Sequence, residues 1–133
     1  MYADRGMPSV NLREKIIDDL NTLMLGFINQ GHYIILMIDA NEGCGAGSAI
    51  DRLISVCGLV DAHTLVATQE GAPPPTYQRG SKKIDFILIT PRVATAVKSV
   101  GILPLHDWYL SDHRALMLDL NSLGFSSHRQ RHR

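Results

Sequence analysis

The sequence has few cysteines, no excess charge of either sign and no long apolar run. Its 133 residues include 2 cysteines, with 13 basic and 13 acidic side chains that give a formal net charge of +0 at pH 7. Without net charge, the chain as a whole exerts no long-range attraction on a polyanion such as nucleic acid. No apolar run approaches the roughly 18 residues that a membrane-spanning helix needs, so no association with a membrane is expected.

The two cysteines exclude a disulfide-rich scaffold. Cys44 lies in a glycine-rich stretch and Cys57 in an apolar helical pattern. Their spacing is not that of a metal site, and two cysteines do not make a disulfide framework. The first residues also lack the apolar segment of a signal peptide. These absences favour a reducing intracellular compartment, either cytoplasm or nucleus.

The length predicts a single domain. A chain of 133 residues is long enough for one hydrophobic core and too short for two. Residues 1–10 show no periodicity and are predicted to be an irregular lead-in, residues 11–121 to be the folded unit, and residues 122–133 to be a flexible basic tail.

Two amphipathic helices are predicted. Asn11 is a good N-cap, and helical spacing of apolar residues extends over residues 12–30, with Gly31 at the stop position. A second helix is predicted from near Ser48 to Gly58. The apolar face of the first helix is predicted to contain Ile16, Leu20, Leu23 and Phe27, flanked by Ile17, Met24 and Ile28.

The strand predictions place most of the sheet in the second half of the chain. Residues 33–38 form a continuous apolar run typical of a strand buried on both faces, and residues 84–90 form another strand that Pro91 ends. Further strands are predicted over residues 76–78, 97–103 and 114–120. A helix, a strand, a helix and then several strands indicate a layered α/β domain with substantial antiparallel content.

Polar residues stand at the ends of these strands. Asp39 and Asn41 follow the first strand and are two residues apart, so both emerge on one side of the sheet. Asp85 interrupts an apolar strand, where a carboxylate is costly unless it is paired. Asp112 and His113 precede the last strand. Each signal also has a structural explanation. Asp39 and Asn41 are typical of a turn or cap, Asp85 of an ion pair with Lys82 or Lys83, and Asp112 with His113 of a loop end.

Together these side chains suit hydrolysis of a phosphate ester. His113 would take a proton from the attacking water, and Asp85 would hold the other imidazole nitrogen. Asp39 and Asn41 would position the water or a phosphate oxygen. Asp112 would help to hold a divalent cation, with Asp39 as a further ligand.

The order of these motifs resembles the C-terminal half of the endonuclease/exonuclease/phosphatase superfamily, the DNase I-like proteins. The resemblance extends over about residues 12–120. It rests on Ile38-Asp39-Ala40-Asn41, on Gly58-Leu59-Val60-Asp61, on Thr76-Tyr77 followed by a basic turn and Ile84-Asp85-Phe86, and on Ser111-Asp112-His113. Details such as Pro74-Pro75-Thr76-Tyr77 are similar to the endonucleases of retroelements.

The resemblance implies half of a four-layer α/β sandwich, with a mixed sheet backed by helices on one face. It also implies a phosphodiester hydrolase that uses Mg²⁺ or Mn²⁺, with DNA as the favoured substrate. Asn41, Arg79, Lys82 and Trp108 are the expected substrate contacts, and Lys83 is a further candidate for contact with a phosphate. The structural alternatives are a solvated turn for the three basic residues and a packed loop aromatic for Trp108. A phosphatase, or a phosphodiesterase acting on phospholipid head groups, is an alternative within the superfamily, because substrate choice in this fold lies in loops.

The departures from the family pattern concern the metal and the partner. The family's first half supplies a Glu metal ligand, and none of Glu14, Glu42 and Glu70 lies in the corresponding motif. Ile38 also replaces the usual Gly before Asp39. The isolated chain is therefore expected to be incomplete, and a non-catalytic binding or assembly module is an alternative. The uncovered sheet face predicts a homodimer that packs sheet against sheet, or a chain supplying the first half, unless rearranged strands cover it.

Overall fold

The computed structural model of the protein describes residues 11–65, 73–105 and 111–123. The elements in chain order are α1 (Leu12–Asn29), β1 (Ile35–Asp39), α2 (Ala49–Cys57), β2 (Val60–Asp61), a 3-10 turn (Ala62–Leu65), β3 (Asp85–Ile89), α3 (Pro91–Ala94), β4 (Val97–Ile102) and β5 (Leu116–Leu120). Both predicted helices and the four long predicted strands are confirmed within a few residues. The predicted lead-in and most of the basic tail lie outside the described residues. No described helix combines the length and apolarity needed to cross a membrane.

The helix ends follow from the capping residues. The side chain of Asn11 accepts hydrogen bonds from the backbone N–H groups of Arg13 and Glu14 at the start of α1. Ser48 caps α2 in the same way, by accepting from the N–H of Asp51. Past the end of α2, Gly58 has a φ of +66°, a left-handed conformation that favours glycine.

The strands form two antiparallel sheets. In the first sheet β3 lies between β1 and β2, and in the second β4 pairs with β5. Every described ladder is antiparallel, so the single mixed sheet of the prediction is wrong. The chain passes from β3 through α3 into β4 of the second sheet, so the strands divide between two sheets. The result is a layered α/β arrangement of helices and small antiparallel sheets.

The first sheet is packed on both faces at its centre. Phe86 and Leu88 of β3 point toward α1 and α2, where they join Ile50 and Leu53 in one buried cluster. On the other face, Ile87 and Ile89 are 0% exposed and pack against residues of β4 and β5. The second sheet thus covers the face that was expected to need a missing half, at the level of β3.

Strand β1 departs from its prediction. It was expected to be buried on both faces, but its residues alternate between exposed and partly buried. Ile35 and Met37 are 43% and 64% exposed. The reason is position, because β1 lies at the edge of its sheet and the second sheet packs over β3 instead. A continuous apolar run therefore marks an edge strand here rather than a central one.

The core stripe of α1 is also displaced from the prediction. Ile17 and Met24 are buried, whereas Ile16, Leu23 and Phe27 are among the exposed large apolar residues. Asn21 is buried between them, with its side-chain oxygen accepting a hydrogen bond from the thiol of Cys57. That contact lets a polar residue occupy the core face. Part of the apolar surface of α1 is consequently exposed and does not contact the core.

The packing of α2 gives a stability prediction. Leu53 is 0% exposed, so Leu53→Ala is expected to lower the free energy of unfolding by about 2–5 kcal/mol through lost apolar contact and a residual cavity. Val56 of the same helix is 50% exposed, and Val56→Ala should change it by less than about 0.5 kcal/mol. Urea unfolding monitored by circular dichroism measures both. Equal effects of the two substitutions would contradict this assignment of the core.

Candidate active site

Two carboxylates are brought together by the register of the first sheet. Asp39, the last residue of β1, lies directly opposite Asp85, the first residue of β3. Directly opposed residues of an antiparallel pair project from the same face, with Cβ atoms about 4.5–5.5 Å apart. Two like charges at this separation repel each other, so the pair needs a positive or hydrogen-bonding group between them.

His113 supplies that group. Its Nδ1 lies 3.0 Å from Oδ2 and 3.2 Å from Oδ1 of Asp85. Its Nε2 lies 3.8 Å from Oδ2 of Asp39. The imidazole therefore bridges the two carboxylates, and the three strand termini predicted from sequence do converge. Asp85 pairs with this histidine and not with Lys82 or Lys83.

Thr76 holds the segments of the site in place. It is 0% exposed, and its hydroxyl accepts hydrogen bonds from the N–H groups of Ile84 at 2.9 Å and Asp85 at 3.2 Å. Its carbonyl accepts from the N–H of Arg114 at 2.7 Å. One buried residue thus ties the start of β3 to the segment that carries His113. The sequence reading missed this role, although Thr76 belongs to the Thr-aromatic pair of the resemblance.

Tyr77 and Ser111 orient the histidine further. Tyr77 forms an isolated antiparallel bridge with His113, and the two rings lie 5.0 Å apart between centroids with 39° between their planes. The hydroxyl of Ser111 accepts a hydrogen bond from the N–H of His113 at 3.1 Å. Neither residue was identified as functional from its sequence position. The Ser-Asp-His signature was the one available signal for Ser111.

The turn after β1 presents Asn41 at the surface. Asn41 is exposed, with a φ of +53°, and its N–H donates to Oδ1 of Asp39 at 3.0 Å. The guanidinium of Arg13 donates to the carbonyl of Ala40 in the same turn and pairs with Glu42 at 3.4 Å. Glu42 also accepts from the N–H of Ala49. Its carboxylate is therefore occupied by structural contacts.

The remaining predicted site residues are less tightly grouped. Asp112 is exposed, and its carbonyl accepts a hydrogen bond from Gln78. Its carboxylate is not a member of the closely spaced group formed by Asp39, Asp85 and His113. Arg79 and Lys82 are exposed in the turn before β3. Trp108 lies outside the described residues.

Lys83 has a structural role instead of the phosphate contact considered for it. Its side chain is 4% exposed and pairs with Asp61 at 2.9 Å. Its Nζ also lies 3.8 Å from the centroid of the Phe86 ring. The pKa of Asp61 is lowered: burial alone would raise it, but hydrogen bonds from His63 and Lys83 and the Lys83 charge outweigh that effect. This ion pair joins β2 to the start of β3.

A magnesium shell is not complete among the described residues. Mg²⁺ prefers six oxygen ligands in octahedral geometry. One ligand atom from each of Asp39, Asp85 and His113 lies within 4.8 Å of the others, but the Asp85 carboxylate is engaged by the imidazole. Asp39, whose side chain is 44% exposed, is the carboxylate of this group that is most open to solvent. The donors present thus do not fit a fully coordinated Mg²⁺.

The pKa of His113 is raised. The hydrogen bond to Asp85 is the main cause, burial acts in the opposite direction, and the charges of Asp85, Asp39 and Asp112 add to the increase. A raised pKa keeps the imidazolium form populated to higher pH than in a free histidine. General-base chemistry requires the neutral form, so the site would become competent only as the pH rises through this pKa.

Comparison with protein families and with curated proteins gives no match for this chain. The class of the protein is therefore defined by its own geometry. It is an α/β domain with an Asp–His–Asp centre at the open end of an antiparallel strand pair.

The anchoring role of Thr76 is testable. Thr76→Val keeps the shape but leaves two backbone N–H groups without an acceptor, which is expected to cost about 1–3 kcal/mol of unfolding free energy. The same variant should alter the His113 imidazole resonances, because β3 and the histidine segment lose their common anchor. Thr95→Val is the control, since the exposed Thr95 hydroxyl only donates to the carbonyl of Arg92. An unchanged His113 spectrum in Thr76→Val would contradict this role.

The pKa increase gives a second prediction. NMR titration should place the midpoint of His113 above the ordinary value of about 6.5, and Asp85→Asn should lower it by removing the main cause. The folded-state pKa lies above the unfolded value, so the stabilisation is complete below about pH 6.5. It is lost as the pH rises through the folded-state pKa, and Asp85→Asn should weaken that pH dependence.

Asp119→Asn is the matched control for this titration, because Asp119 is half exposed and pairs loosely with Lys98 at 3.9 Å. It should leave the His113 midpoint unchanged. A His113 midpoint at or below the ordinary value in the unsubstituted protein would show that the two carboxylates do not act on this imidazole.

Proposed function

We propose that this chain is the base-carrying part of a metal-dependent phosphodiester hydrolase, endonuclease-like and acting on DNA. The observation that carries the proposal is the position of His113, which lies 3.0 Å from one carboxylate and 3.8 Å from another. The resemblance to the C-terminal half of the endonuclease/exonuclease/phosphatase superfamily supports the same reaction. In its finer form the proposal includes the DNase I-like four-layer sandwich, with this chain as one half.

The reaction begins with deprotonation of a water molecule. Asp85 accepts the hydrogen bond from Nδ1–H of His113, which leaves Nε2 free to take the proton. The water oxygen forms a bond to phosphorus as the bond from phosphorus to the leaving oxygen breaks, and that oxygen takes up a proton from solvent to leave as an alcohol. Asn41, exposed beside Asp39, is placed to donate a hydrogen bond to a phosphate oxygen.

Access to the centre is compatible with a polymeric substrate. The side chains of His113 and Asp39 are 29% and 44% exposed, so the group lies at the surface rather than in a closed cavity. Arg79 and Lys82, both exposed near the same strand end, are suited to contacts with backbone phosphates. Trp108 is the proposed stacking contact with a base.

The proposed cofactor is Mg²⁺ or Mn²⁺, with Asp39 and Asp112 contributing oxygen ligands. The other ligands would be water, phosphate oxygens of the substrate, a second chain or residues outside those described. The incomplete donor set also supports the alternative function, a non-catalytic binding or assembly module. A phosphatase or a phospholipid head-group phosphodiesterase would use the same centre, so the substrate panel of the assay must include these esters.

The test is cleavage of supercoiled plasmid by the full chain with Mg²⁺ or Mn²⁺. His113→Ala and Asp85→Ala are each expected to lower the rate at least about 100-fold, the contribution typical of a general base. His32→Ala is the matched control, because His32 precedes the opposite end of β1 and should leave the rate unchanged. Cleavage that survives both active-site substitutions would disprove the proposed mechanism. A folded protein without metal-dependent turnover on any ester of the panel would favour the binding module.

A further inference from the structure

One edge of the domain carries an apolar surface that core packing does not use. On α1, Leu12, Ile16, Leu23 and Phe27 are 42%, 60%, 52% and 38% exposed. At about 100° per residue these four positions fall on one side of the helix. They form a continuous stripe along almost its whole length, whereas isolated exposed apolar residues are ordinary on protein surfaces.

The stripe lies on the flank of α1 away from α2. The opposite flank contacts α2, since Asp18 pairs with Arg52 and Asn21 binds the thiol of Cys57. α1 itself runs along β1, because the Arg13 guanidinium donates to the carbonyl of Ala40 after β1 and the Phe27 ring packs against His32 before it. The flank of α1 away from α2 therefore lies beside the β1 edge of the sheet.

Strand β1 is itself unpaired on that side. Within the part of the chain that the structure describes, its ladder partner is β3 alone. Ile35 and Met37, 43% and 64% exposed, project from this strand without a polar residue between them on that face. A short apolar edge strand with free backbone groups is a template for pairing with another strand. Ile35 and Met37 lie on the sheet face of Asp39, opposite α1, so the free backbone edge of β1 lies between them and the helix stripe.

We infer that this surface is the dimer interface with a second copy of the chain. A twofold axis perpendicular to the sheet places β1 of each copy beside the other in antiparallel pairing. The same axis places the two α1 helices side by side and antiparallel. One partner then contacts both α1 and β1, and the interface is isologous, as in most symmetric dimers. We name it the α1–β1 face, formed by Leu12, Ile16, Leu23, Phe27, Ile35 and Met37.

The spacing of the helix stripe is self-complementary. In an antiparallel pair centred between Asp19 and Leu20, Leu12 of one copy lies opposite Phe27 of the other. Ile16 then lies opposite Leu23 in the same register. Every exposed apolar residue of the stripe consequently meets another. On the strand, Ile35 of one copy pairs with Met37 of the other, so each exposed apolar residue again lies opposite another. This register also keeps the two Asp39 carboxylates apart.

Charge and area are both compatible with a second copy. Asp19, near the proposed axis, is paired with Lys15 at 2.9 Å, so this part of the flank carries no uncompensated charge. With about 200 Å² for a fully exposed large side chain, the six residues of the α1–β1 face expose roughly 600 Å² per copy. Complete burial of these residues in two copies would remove about 1,200 Å², which is the lower end of the range for stable specific interfaces.

The experiment is light scattering of the full chain over a wide concentration range, without metal or substrate. The expected mass is twice the 14.7 kDa of one chain. Ile16→Lys and Leu23→Lys introduce charge at the interface without touching the core and should each give a monomer. Val56→Lys changes an equally exposed apolar residue on α2 and should remain a dimer. A monomeric unsubstituted chain, or a dimer unaffected by both α1 variants, overturns the inference.

A cross-linking measurement tests the geometry even if a lysine variant fails to fold. In a Cys44→Ser background, Ile16→Cys and Leu23→Cys chains are mixed under oxidising conditions. The mixture should form disulfide-linked dimers more readily than either variant alone, because positions 16 and 23 face each other across the axis. Equal cross-linking in all three samples would rule out this pairing. Neither measurement depends on catalysis, so the dimer and the proposed hydrolase can fail independently.

Discussion

The register in which β1 pairs with β3 places two carboxylates side by side, and the site depends on how their repulsion is offset. Asp39 and Asp85 are directly opposed at the end of this ladder. His113 offsets the repulsion between them, because its ring lies between the two carboxylates. It makes a short hydrogen bond to Asp85 and a longer polar contact with Asp39. A slip of one residue would move one carboxylate to the opposite face of the sheet, where the helices pack. Register and chemistry are therefore coupled in this protein.

The second sheet and the buried Thr76 make that arrangement rigid. The face of β3 that carries Asp85 continues into Ile87 and Ile89, both 0% exposed beneath β4 and β5. Thr76 then fixes the segment of His113 against the start of the same strand. Among the described strands, β3, which carries Asp85, is the most buried, whereas Asp39 lies on an edge strand. This asymmetry leaves one side of the centre open to a substrate or to a partner chain.

Much of the local structure could be predicted from the sequence. Capping residues such as Asn11 and Ser48 located the helix starts, and apolar runs located β1 and β3. The convergence of positions 39, 85 and 113 was also predictable, because each polar residue interrupted or ended a strand. Burial was harder to predict, since an apolar run does not reveal whether its strand is central or at an edge. For the same reason, the broad apolar stripe of α1 did not show which part faces the core.

The role of Thr76 could not be predicted from its own residue type. A buried threonine that accepts two backbone hydrogen bonds is recognised only when the distant segments it joins are known. The incomplete metal shell, by contrast, could be predicted, because the sequence lacks the Glu ligand of the family pattern. The described residues are consistent with that deficit, with Glu42 engaged by Arg13 and by the N–H of Ala49. The chemistry of the chain therefore centres on its imidazole.

The most direct measurement is the tautomer of the neutral His113 ring, read from long-range nitrogen–proton correlation spectra. The hydrogen bond to Asp85 predicts that the proton resides on Nδ1 and that Nε2 is the free, basic nitrogen. A ring protonated on Nε2, the form that is usual for a histidine in water, would contradict the hydrogen bond from Nδ1 to Asp85 and the proton transfer built on it.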